Sequence, residues 1–137
     1  MKEEGEIMRF FMIFVWCFVL FIGTCVHDIR HIFTDFYFLW NMNPQWDDLL
    51  KVNDSHTTSY FIQKMGHFCG FFILSLLMSN FGRMKNGVLL AIAFGILTEL
   101  IQPLFSRDGR ILDMVIDAVG AILAYMLSRK ILHKGTL

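Results

Sequence analysis

The sequence predicts an all-α integral membrane protein, a four-transmembrane-helix bundle with both termini in the cytoplasm (N-in/C-in). Three observations carry this. Of the 137 residues, 55% are hydrophobic and only 18% charged, against ~25% charged in ordinary soluble domains; the mean hydropathy is +0.54. Four apolar stretches approach or reach the roughly 17–25 residues that a spanning helix needs. Basic residues gather on one side of the topology those stretches define. A chain of this length forms a single domain, residues 1–137. Its 12 Lys and Arg balance 12 Asp and Glu, so the basic excess that nucleic-acid binding needs is missing and no nucleic-acid partner is expected. The three cysteines, Cys17, Cys25 and Cys69, all lie in apolar stretches and form neither a disulfide framework nor a CxxC pair; small buried hydrophobes are expected.

The first span is residues 10–26. Glu3, Glu4 and Glu6 precede it and no small-x-small cleavage site follows, so a retained span is expected rather than a signal peptide. Residues 27–59 form a long outer loop, rich in aromatics, with Asn43-Pro44 and the acidic pair Asp47-Asp48. Such a length without a span suggests partial helix or an interfacial segment. The second span, 60–80, is interrupted by Lys64 and His67; the third, 88–105, follows a short turn holding Arg83 and Lys85. A tight loop at 106–110 leads to the fourth, 111–127, and then to a basic tail. With the N-terminus inside, Lys2, Arg9, Arg83, Lys85, Arg129, Lys130 and Lys134 face the cytoplasm, and only Arg30, Lys51, Arg107 and Arg110 lie outside. The short turn with Arg83 and Lys85 is the cleanest witness, because short loops obey the positive-inside rule best.

Three spans carry groups that hydrocarbon excludes: Lys64 and His67, then Glu99 and Gln102, then Asp113 and Asp117. A Lys or Asp at a helix centre costs about 2.5–3.5 kcal/mol on the insertion scale, against about 0.3–0.6 returned by a Leu or Phe. Such groups pair inside a bundle rather than face lipid singly. At about 1.5 Å per residue, all six fall near the outer ends of their spans. Each pair is spaced i, i+3 or i, i+4 and so shares a helix face. The Asp face continues through Gly120, Ala121 and Ala124, and the Glu99 face runs back through Gly95 and Ala91. Small residues there allow close helix approach, which makes Gly95, Gly120 and Ala124 the expected packing positions. Pro103 lacks an N–H and leaves the Glu99 carbonyl without its helical donor. Arg107 and Arg110 flank Asp-Gly just above the cluster, a geometry suited to a phosphate or carboxylate. Two readings stand side by side: a structural ion-pair network, and a ligand-binding site open to the outer leaflet.

In order and spacing, these residues resemble the VanZ family of small bacterial membrane proteins. The matching pieces are Phe61-Ile-Gln-Lys64-Met-Gly-His67-Phe, then Glu99-Leu-Ile-Gln102, then Phe105-Ser-Arg107-Asp-Gly-Arg110-Ile-Leu-Asp113-Met-Val-Ile-Asp117-Ala-Val-Gly120-Ala. Together they cover about half the chain; the family often carries Asn where this chain has Asp117. The resemblance implies a multi-pass protein of the bacterial cell membrane, linked to resistance to the glycopeptide teicoplanin without an identified enzymatic activity. A bacterial origin also makes the glycosylation match at Asn53-Asp-Ser55 accidental.

Three functions follow from these observations. The first is a non-enzymatic envelope protein whose cluster (Lys64, His67, Glu99, Gln102, Arg107, Arg110, Asp113 and Asp117) binds a membrane lipid, a lipid-linked cell-wall precursor or a glycopeptide antibiotic. The second is a membrane enzyme acting on a lipid head group, with His67 and Glu99 as acid and base; no Ser or Cys nucleophile stands beside His67, so no catalytic residue is assigned. The third is a small transporter, disfavoured because the cluster is lopsided rather than at the midplane. No metal or cofactor is assigned. His27, Asp28, His31 and Asp35 have helical spacing suited to zinc, but a solvated interfacial turn is the expected reading.

Overall fold

The computed structural model describes residues 2–25, 42–44, 46–50, 58–105 and 109–134. They form four α-helices, α1 (Lys2–Cys25), α2 (Thr58–Met78), α3 (Lys85–Ile101) and α4 (Ile111–Lys134), with 3-10 turns at Trp46–Leu50 and Gln102–Phe105. No strand occurs among the described residues. All four helices are long and apolar enough to cross a membrane, and the fold is the four-span α-bundle.

The helix boundaries differ from the hydropathy boundaries for physical reasons. Helix α1 begins at Lys2 rather than at residue 10, with Glu3 and Glu4 in its first turn, where carboxylates suit the positive end of the helix dipole. Helix α4 runs on to Lys134 rather than stopping at 127, with His133 and Lys134 in its last turn, the favourable place for cations. Hydropathy marks where a chain is apolar; backbone hydrogen bonding continues beyond. The third stretch breaks at its outer end. Helix α3 stops at Ile101, and the segment carrying Pro103 tightens into the 3-10 turn, since Pro cannot donate to the helical ladder. Between α2 and α3 the chain reverses with Asn80, Phe81 and Gly82 all at positive φ. Gly82 is required there twice over: a side chain at that position would also lie 2.8 Å from Ser128 Cβ.

Helices α2 and α4 make the most extensive contact, and α3 packs on both. Helix α1 stands outside this trio and touches α2 and α3. Its only buried described residues are Thr24 and Cys25, while Phe10, Phe14 and Phe18 are exposed. Trp16, Cys17 and Leu20 pack it against the core, and two specific contacts fix its place. Trp16 Nε1 donates to the Gly70 carbonyl at 2.9 Å, and Phe21 meets Phe105 edge-on at 6.0 Å between ring centres. The second contact puts the end of α1 at the same end of the bundle as Phe105, so four crossings bring both termini to the opposite end.

Around Phe71 and Leu74 the interior is built mainly from small and polar residues, and large apolar ones cover the exterior. Ala91, Ala121 and Ala124 are fully buried beside Phe71 and Leu74, whereas Leu89, Leu90, Leu97, Val115, Val119 and Met126 are exposed. This suits a lipid surround, in which close backbone approach and internal hydrogen bonds replace hydrophobic burial as the cohesive terms. Gly120 lies so close to α2 that a side chain would begin 2.5 Å from the Phe68 carbonyl oxygen, and a side chain on Gly95 would begin 3.2 Å from Asp117 Cβ. Ser75 Oγ donates to the Ala121 carbonyl at 2.7 Å. The cysteines divide: Cys25 is buried and Cys17 half-buried, but Cys69 is exposed, not buried as its apolar context suggests. It stands between Met65 and Ile73, both exposed, in an i, i+4, i+8 row on the lipid side of α2.

Candidate functional site

Three helices deliver one polar cluster at the end of the bundle away from the termini. Helix α2 contributes Lys64 and, one turn deeper, His67. Helix α3 contributes Glu99 in its last turn, and Gln102 opens the 3-10 turn that follows. Helix α4 contributes Asp113 in its first turn and Asp117 one turn on. All six are buried, Glu99 and Asp117 at 0% and 1% exposure. For Asp113 and Asp117 the cause is the periodicity of α4, whose buried residues are Asp113, Asp117, Gly120, Ala121, Ala124 and Ser128. This is one continuous stripe, polar at one end and small-apolar below it.

Each contact answers a charge. Lys64 Nζ pairs with Asp113 Oδ1 and lies 4.7 Å from the centre of the Tyr60 ring, a cation–π distance. His67 Nδ1 lies 3.2 Å from Asp117 Oδ1 and 3.6 Å from Glu99 Oε1. Gln102 Nε2 donates to Glu99 Oε1 at 2.6 Å, and the Arg110 backbone N–H donates to Glu99 Oε2 at 2.9 Å. Taking a charge out of water costs several kcal/mol, and these pairings are what offset it. The helix dipole helps as well: Asp113 and the Glu99 carboxylate both sit at the N-terminal end of α4, where negative charge is favoured. Asp117 Oδ2 is the exception, buried with no hydrogen-bond partner.

Arg110 joins the cluster through its backbone N–H, and its residue is half-buried. Arg107 lies outside the described residues, as do His27, Asp28, His31 and Asp35. Two further participants carry little signal in the sequence. Tyr60 covers Lys64. Gly109 packs against the Glu99 carbonyl oxygen so closely that no side chain fits there, filling the space that Pro103 opens by withholding an N–H. The Asp-Gly step ahead of an apolar run, six residues after that proline, was the available signal.

The sequence assigns no metal to this cluster, yet His67, Glu99 and Asp117 each present a ligand atom, all within 4.8 Å of one another. A separate cavity of about 660 Å³, lined by Arg83, Lys85, Arg129 and Lys130 among others, lies at the opposite end of the bundle.

No protein-family model matches the chain, and no solved structure matches it. The chain is similar to the uncharacterized membrane protein YwnJ of Bacillus subtilis (strain 168), with 32% identity over 117 residues that span 82% of this chain and 84% of that protein. With four helices fit to cross a membrane and that level of identity along most of both chains, this protein belongs to the YwnJ family of membrane proteins.

Proposed function

We propose that this is a VanZ-like, non-enzymatic protein of the bacterial cell membrane that contributes to resistance to glycopeptides such as teicoplanin. In this reading both termini lie in the cytoplasm, and the polar end of the bundle faces outward. There it engages an envelope lipid, a lipid-linked cell-wall precursor or the antibiotic itself. The observation that carries the reading is the convergence of Lys64, His67, Glu99, Gln102, Asp113 and Asp117 from three helices at one end of the bundle. The basic residues Arg83, Lys85, Arg129 and Lys130 sit at the other end, which the positive-inside rule assigns to the cytoplasm. In this reading half-buried Arg110 and Tyr60 offer contacts to an anionic head group above the buried groups. Arg107 is proposed as a further anion contact.

The test is resistance in a glycopeptide-sensitive bacterium expressing the protein. Wild type is expected to raise the inhibitory concentration of teicoplanin; Asp113→Asn and Arg107→Ala are expected to lose that effect while inserting normally. Variants that insert, fold and retain full resistance would remove the site from the proposal. A second reading, a membrane enzyme acting on a lipid head group, is favoured by His67 standing within 3.6 Å of two carboxylates. Against it, Cys69 projects to the lipid side rather than toward His67. Conversion of labelled envelope lipids by the purified protein supports that reading, and an unchanged lipid pool rejects it.

A further inference from the structure

We propose that His67, Glu99 and Asp117 bind a divalent transition-metal cation of the zinc type between α2, α3 and α4. The inference stands on the geometry of these three residues and does not rest on the envelope-ligand reading.

The three ligand atoms come from three helices and lie within 4.8 Å of one another. Bonds of about 2.0–2.1 Å in a tetrahedral zinc site separate neighbouring ligands by about 3.3 Å. His67 Nδ1 is already 3.2 Å from Asp117 Oδ1 and 3.6 Å from Glu99 Oε1, and no pair in the set exceeds 4.8 Å, so approaches of about 1.5 Å or less complete the set. One imidazole and two carboxylates are a donor set that zinc accepts, with a fourth position left for water or a ligand.

Charge points the same way. The buried carboxylates are Glu99, Asp113 and Asp117, and the buried basic groups are Lys64 and His67. Lys64 is committed to Asp113, which leaves two carboxylates confronting one imidazole. A divalent cation bound to neutral His67 would balance both. Asp117 Oδ2 supplies an independent sign: it is buried without any hydrogen-bond partner, although buried carboxylate oxygens are normally satisfied. It faces Gly95, where the backbone has no side chain to donate. Rotation of that carboxylate onto a cation engages it.

Outer-shell contacts are also in place. Gln102 and the Arg110 N–H hold both oxygens of Glu99, the kind of support that orients metal ligands.

The experiment uses the full chain, purified in detergent through a tag without histidine, with metal content measured by mass spectrometry. About one zinc per chain is expected in wild type and in Cys69→Ser, falling to background in His67→Ala and Glu99→Gln. If a variant fails to fold, chelator-treated wild type is titrated with zinc and with cobalt(II). Zinc is expected to raise its melting temperature, and cobalt to give the visible bands of a tetrahedral site. Gln102→Ala is expected to weaken binding about tenfold. Folded wild type with no stoichiometric metal and no response to zinc or cobalt overturns the proposal, as does metal that persists in both His67→Ala and Glu99→Gln. The outcome is separable from the resistance assay: a metal-free protein that confers resistance overturns this inference alone, and zinc-loaded protein without resistance overturns the other alone.

Discussion

Replacing the cation of the cluster should harm the protein more than replacing the acid it pairs with. Three carboxylates, Glu99, Asp113 and Asp117, are buried against Lys64 and His67, so negative charge is in excess even with His67 protonated. Lys64→Met leaves Asp113 unpaired beside two further carboxylates. Asp113→Asn leaves Lys64 an uncharged partner and two carboxylates nearby. Breaking one side of a buried ion pair costs about 3–5 kcal/mol. The first turn of α4 returns about 0.3–1 kcal/mol to an unpaired Asp113 through the helix dipole, and Lys64 keeps 9% exposure. Lys64→Met is therefore expected to cost about 3 kcal/mol, the low end of that range, and Asp113→Asn about 1 kcal/mol. The assay is SDS-induced unfolding from detergent micelles with a chelator present, so that no added cation compensates. A double-mutant cycle with both changes reads the coupling directly. The reasoning is refuted if Asp113→Asn costs as much as Lys64→Met, or if the two effects add to within about 0.5 kcal/mol.

Gly120→Ala forces a Cβ to within 2.5 Å of the Phe68 carbonyl oxygen and should destabilise the α2–α4 contact by about 1–3 kcal/mol. Gly23→Ala, with nothing within 4 Å, should leave the same unfolding curve unchanged, and equal effects would dismiss the close-approach argument. Ser75→Ala removes the bond to the Ala121 carbonyl and should cost about 0.6 kcal/mol, the average for such bonds in membranes; a loss beyond about 2 kcal/mol would mean Ser75 does more than that. Trp16→Phe deletes the hydrogen bond from α1 to Gly70, and maleimide labelling of half-buried Cys17 should rise while the α2–α3–α4 unfolding midpoint holds. Replacing Arg83 and Lys85 with Gln should weaken the N-in orientation, read by a reporter at the C-terminus; a reporter that stays wholly cytoplasmic assigns orientation to the tail alone.

The number of spans was legible because hydropathy is a sum over many residues and tolerates local exceptions. The ends of the helices were not, since Lys2 through Arg9 and Arg129 through Lys134 continue helical hydrogen bonding after apolarity stops. The polar cluster was legible for a different reason. A Lys or Asp inside an apolar stretch is costly enough to announce a partner, and i, i+3 or i, i+4 spacing fixes the face. Spacing on one helix says nothing about which residue on another it meets. Lys64 could have paired with any of three carboxylates, and His67 with any of three; the division into Lys64–Asp113 and His67–Glu99–Asp117 depends on rotations and depths that only packing determines. Backbone roles were least visible, because the Arg110 N–H on Glu99 and the close approach of Gly109 belong to main-chain atoms that every residue carries.

The Lys64–Asp113 pair joins residues 49 positions apart, and this separation bears on biogenesis. Ribosomes add roughly 5–20 residues per second, so Asp113 is made about 2.5–10 s after Lys64. For that interval α2 carries an ammonium group whose counter-charge does not yet exist, at an insertion cost of up to about 3 kcal/mol. Helix α2 is thus poorly suited to settle in lipid alone. Its stable entry depends on delayed release, or on a shallow waiting position, until α4 is delivered. A chain cut before α4 therefore leaves α2 without the partner that completes its insertion, before any unfolding equilibrium applies, whereas Asp113→Asn still delivers a hydrogen-bonding group to Lys64.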